Sequence, residues 1–87
     1  MHSLEPLSAE KFKKFLEHCL CEARGSRYGR AIYWRFDLSR PISFQEEGLV
    51  PVAQIRICLR TLGIAVEKYL SVLDSLFPLN RAKDTPT

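Results

Sequence analysis

The sequence predicts a mainly α-helical single domain with room for one short β-hairpin. Three observations predict it. Apolar residues recur at helical spacing in three separate segments, one run of period two lies between the first and second of them, and the chain is 87 residues long. A chain of that length buries only about 60–65% of the surface it exposes when unfolded, so it holds one core and no second domain. Hydrophobic residues at 46% and charged residues at 26% are the ordinary mixture of a globular chain.

Residues 1–7 read as a short leader. Ser8 is a good N-cap, and Phe12, Phe15, Leu16, Cys19, Leu20 and Ala23 form one amphipathic stripe behind it. Leu7 and Phe12 are spaced for a hydrophobic staple. Glu10 suits the positive start of this helix, Arg24 its negative end, and Gly25 a left-handed cap. The expected helix therefore covers 8–24, with a loop over 25–30. From Ala31 to Leu38 the pattern turns to period two. Ile32, Trp34, Phe36 and Leu38 would face one side, and Ala31, Tyr33, Arg35 and Asp37 the other. With a turn at Ser39-Arg40-Pro41 and a return strand over 42–44, residues 31–44 make the hairpin. A helix here is the alternative, since Ile32 and Phe36 are four apart. Large aromatics are usually buried, so Trp34 and Phe36 are expected in the core.

Pro51 suits the first turn of a helix. Val52, Ile55, Cys58, Leu59 and Leu62 then repeat at helical spacing until Gly63, and after Ile64 a second stripe runs through Val66, Tyr69, Leu70, Leu73, Leu76 and Phe77. Leu59 and Leu73 are expected where these two helices meet. Pro78 discourages continuation, and 79–87 reads as a flexible polar tail.

Residues 51–77 are thus two amphipathic helices joined by a tight turn at Leu62-Gly63-Ile64. The arrangement resembles the helix-turn-helix core of winged-helix and related DNA-binding domains, in which an apolar helix, a Leu-Gly-Ile turn and a second apolar-faced helix follow one another. The resemblance covers about 25 of the 87 residues. It implies a second helix that reads the major groove, for which Lys68 and Ser71 are the suitable residues. Two features depart from the family pattern. Ala65, Val66 and Glu67 occupy the other reading positions, and no strand pattern for a C-terminal wing follows Phe77.

The second signal is charge. The formal net charge is only +3, but residues 24–40 hold Arg24, Arg27, Arg30, Arg35 and Arg40 against one acid, Asp37, with Tyr28, Tyr33, Trp34 and Phe36 interleaved. Guanidinium forks pair with phosphates, and exposed aromatics stack on unpaired bases. The expected nucleic-acid contacts are Arg27, Tyr28, Arg30, Arg35 and Arg40 from this segment, with Arg56, Arg60, Lys68 and Ser71 from the helical pair.

Other chemistries find little support. Cys19, Cys21 and Cys58 are an odd number without a disulfide framework, which suits a reducing, intracellular setting. A helix carrying Cys19 and Cys21 would point them apart, and His18 beside them leaves zinc without a fourth ligand. Neither His2 nor His18 stands in relation to a nucleophile, and Glu46-Glu47 reads as a solvated pair. No stretch is long and apolar enough to span a membrane, and the N-terminus lacks the pattern of a secretory signal. The expectation is therefore a small nucleic-acid-binding protein without enzymatic activity, metal or cofactor. It is a transcriptional or chromatin accessory factor with DNA ahead of RNA as partner. The alternative is a protein-interaction or assembly module that presents Ile57, Val66 and Val72 to a partner or a second copy.

Overall fold

Helix formation begins where the cap chemistry places it and stops earlier than the apolar stripe suggests. In the computed structural model, which describes residues 4–78, the order is β1 (Leu7–Ser8), α1 (Ala9–His18), β2 (Glu22–Arg27), β3 (Arg30–Trp34), β4 (Ile42–Gln45), β5 (Leu49–Val50), α2 (Val52–Leu62) and α3 (Val66–Leu76). Among the described residues helix accounts for 43% and strand for 25%, in two antiparallel sheets, so the fold is α+β and the mainly helical expectation is overturned. The expected tail at 79–87 lies outside the described residues.

The Ser8 hydroxyl accepts the Lys11 N–H at 3.2 Å and opens α1 as expected. The helix then closes at His18 instead of Arg24. Leu20 takes a left-handed φ of 68°, its N–H donates to Glu17 O at 2.9 Å, and the Cys21 N–H donates to Leu16 O at 3.0 Å. This is the Schellman pair of bonds, accompanied by burial of Leu16 and Cys21. Residues 22–24, good helix formers, are thereby released to pair with β3. Tertiary pairing outweighs a local preference of a few tenths of a kcal/mol per residue. Ala23, expected on the apolar stripe, is exposed.

The larger sheet has the order β2-β3-β4. Residues 25–30, expected as a loop, are instead the end of β2, a two-residue turn and the first residue of β3. Tyr28 and Gly29 both have positive φ, 53° and 76°, which is the type I′ geometry whose twist matches that of paired strands. The turn fixes Arg27 opposite Arg30, and a one-residue bulge at 24–25 lets Ala23 still meet Tyr33. Ala31, Tyr33, Ile42 and Phe44 then point into the core. The strand is therefore present in the opposite phase from that expected. Trp34 is only half-buried, and Phe36 is 90% exposed.

Aromatic rings close the core. Phe12 of α1 meets Phe44 of β4 edge-on at 4.9 Å between centroids, and Phe15 meets Tyr69 of α3 at the same distance. The α2 helix lies along the outer edge of β4, where the Gln54 Oε1 accepts the Gln45 N–H at 2.8 Å and the Cys58 thiol lies 3.8 Å from Ser43 O. Gly63, at φ 73°, ends α2 by donating to Arg60 O, while the Ile64 N–H donates to Leu59 O. Leu59 is buried as expected, whereas Leu73 packs against the core only partly covered. The short β1–β5 pair was not anticipated. It joins Leu7 to Val50 and ties the expected leader into the fold.

Candidate functional site

The type I′ turn sends β2 and β3 out as a ribbon, and β2 is exposed at all six positions. Small residues on its inward side, Ala23 and Ser26, bury little, so β2 is held by its pairing to β3 and not by the core. On the other face of the ribbon lie Glu22, Arg27, Arg30, Ile32 and Trp34, as the strand register dictates. Tyr28 stands at the tip, 95% exposed. A non-glycine residue at positive φ is uncommon, and here it holds an aromatic ring in solvent between two arginines.

The nine expected contact residues are spread over the ribbon, the β3–β4 connection, α2 and α3. Arg27 is exposed at the end of β2, where its side chain makes no hydrogen bond or ion pair among the described residues, and Arg40 is exposed in the β3–β4 connection. Arg30 is committed to the fold. Its Nε donates to Ser43 Oγ at 2.8 Å, and its second guanidinium nitrogen donates to Ser43 O at 3.1 Å. Arg35 is committed as well, through a 2.6 Å ion pair with Asp37 and a 2.7 Å bond to Cys19 O. The Arg35 hydrogen bond holds the Asp37 carboxyl below its usual range and raises the guanidinium in turn. Arg56 and Arg60 are exposed one turn apart on α2 and line a concavity with Leu59, Ile64 and Val66. Lys68 and Ser71 are exposed on α3, but Ser71 shares its concavity with Glu67 and Asp74, acids that repel phosphate.

The sequence reading missed a cluster beside the ribbon. Leu20, Glu22, Arg24, Trp34, Arg35 and Phe36 line a surface concavity of about 220 Å³. Leu20 is 78% exposed, and Arg24 makes only a 3.8 Å contact to Glu22. The helical stripe hid Leu20, and the wrong strand phase hid Phe36. Gly29 just ahead of the apolar run that starts at Ala31 is the signal for the turn that could have set the phase.

No protein-family model matches the chain, and no curated protein or solved structure matches it significantly. The helix-turn-helix resemblance therefore rests on residues 51–77 alone. Among the described residues, no helix is long and apolar enough to cross a membrane, and no group of three or more His, Cys, Asp or Glu is placed to hold a metal ion. Burial raises the thiols of Cys19 and Cys21, and pushes that of Cys58 up to about 12. A protonated thiol is a poor nucleophile and a poor ligand.

Proposed function

We propose that this chain is a small intracellular nucleic-acid-binding protein that makes its main contact through the β2–β3 ribbon, in an accessory role on transcribed or packaged DNA. The observation that carries the reading is the exposed ribbon itself. Arg24 and Arg27 flank its outer strand, Tyr28 is presented at its tip, and the acids of α3 lie elsewhere. Arginines positioned this way neutralise phosphates, and each neutralised phosphate releases counterion. Arg40, and Arg56 with Arg60 on α2, extend the basic character beyond the ribbon.

Binding of labelled DNA and RNA at low and at physiological salt tests the reading. Affinity should fall steeply with salt. Arg24→Ala with Arg27→Ala should weaken all sequences alike and flatten the salt slope by up to about two. Lys68→Ala should matter less. Wild-type protein that ignores every probe at low salt would end the proposal.

A protein-interaction reading stands second because α3 fully buries only Tyr69. Val66, Leu70, Val72, Leu73 and Leu76 are half-covered, and Ile57 on α2 is 55% exposed. Sedimentation of the free protein would favour it if a dimer dissociated on Val72→Glu.

A further inference from the structure

We infer that the concavity between Leu20, Trp34 and Phe36 takes an unstacked nucleobase, so that the ribbon selects unpaired strands over duplex. The inference rests on the nucleic-acid reading above and adds what is bound and where. Two observations converge on this concavity. Leu20 holds a left-handed φ of 68° with its side chain 78% exposed, and Phe36 is 90% exposed. The left-handed φ of Leu20 serves the cap of α1, but the exposed Leu20 and Phe36 side chains themselves bury little. Both side chains border the same hollow, which Trp34 also lines.

The chemistry of the rim discriminates among occupants. Trp34 and Phe36 offer ring faces, and every base has a complementary face regardless of its sequence identity. Glu22 accepts an N–H from a base edge, and Arg24 and Arg35 line the same hollow with the opposite charge, Arg35 being held by Asp37. Arg24 stands beside Glu22, and Arg27 follows further along β2 toward the tip. A strand laid along the ribbon would seat a base at Phe36 and pass its phosphates over Arg24 and Arg27 toward Tyr28. In a duplex the same bases are stacked and paired, and reaching the hollow would cost a few kcal/mol of unstacking.

Trp34 is the single tryptophan of the chain and lines the hollow, so its fluorescence reports occupancy directly. The protein would be titrated with single-stranded DNA, single-stranded RNA and a blunt DNA duplex of equal phosphate content. Single strands should quench Trp34 and bind at least about tenfold more tightly than duplex. Phe36→Ala should weaken single strands about 5- to 150-fold, the range of one stacked base, and leave duplex binding unchanged. Circular dichroism should show an intact fold, since the ring is exposed. Duplex bound as tightly as single strands without quenching, or Phe36→Ala indistinguishable from wild type, overturns this inference while the ribbon reading stands. Failure of all three probes to bind at low salt overturns both. A difference between the DNA and RNA strands would assign the sugar preference.

Discussion

The ring of Tyr69 stands edge-on to that of Phe15, 4.9 Å between centroids and 89° between planes, and joins α3 to α1 at the centre of the core. Tyr69 is 1% exposed, and its buried hydroxyl has no hydrogen-bond partner among the described residues. Burial pushes its pKa well above the ordinary tyrosine value, so the hydroxyl stays neutral. Removing the oxygen should therefore relieve a desolvation penalty. Tyr69→Phe is expected to raise stability by about 1 kcal/mol, whereas Tyr69→Ala should cost about 3–5 kcal/mol. Urea denaturation of both variants decides it. A Tyr69→Phe variant clearly less stable than wild type would mean that the hydroxyl has a partner after all.

Arg30 and Arg27 are opposite neighbours across the hairpin but should behave differently on mutation. Arg30 clamps β3 to β4 through Ser43, so Arg30→Ala should lose about 1–3 kcal/mol of stability. Arg30→Lys should recover little, because a single ammonium cannot reproduce the forked geometry. Arg27→Ala should melt with the wild type. Thermal denaturation of the three variants, followed by far-ultraviolet circular dichroism, tests the contrast.

Gly63 has open space around it, with nothing within 4 Å of where a Cβ would stand, so its requirement is conformational and not steric. At φ 73° a side chain is strained by about 1–2 kcal/mol. Gly63→Val should exceed Gly63→Ala in cost, because a β-branched residue tolerates this region least. Equal stability of all three proteins would show that α2 and α3 can join through another turn.

The Arg35–Asp37 pair sets a pH dependence. The carboxyl of Asp37 titrates below its unfolded value, so the pair contributes stability that is fully present above the ordinary aspartate pKa of about 4 and is lost as pH falls through the lower folded value. Asp37→Asn should therefore lower the melting temperature slightly at neutral pH and converge with wild type in strong acid. The Arg35 bond to Cys19 O should survive in that variant. Melting curves that stay parallel at every pH would exclude the linkage.

Much of the α-helical content was legible because caps and stripes agree. Ser8 opens α1, and Gly63 separates α2 from α3 where glycine was expected to. The sheet was less legible because two local patterns were each self-consistent and wrong. Residues 20–24 continue the helical stripe of α1, and only the left-handed Leu20, which no composition rule favours, ends it. In β3 both phases are apolar. Ile32, Trp34 and Phe36 look more core-like than Ala31 and Tyr33, but the turn at Tyr28-Gly29 sets the register and the smaller pair faces inward. The candidate site inherited both errors. Its arginines were visible as a cluster, but sequence spacing could not separate Arg30 and Arg35, which hold the fold together, from Arg24 and Arg27, which face solvent.

The sheet is also asymmetric at its two borders. Along β4 two of the main-chain groups that face away from β3 are occupied: Gln45 N–H by the Gln54 side chain, and Ser43 C=O by Arg30, with the Cys58 thiol beside it. Along β2 no strand of the described residues is paired on the outer side. Propagation of a cross-chain sheet requires two receptive borders per molecule, one to accept a neighbour and one to pass the pattern on. On this sheet β2 is therefore the border open to a strand of another molecule, and the occupied groups along β4 disfavour pairing there.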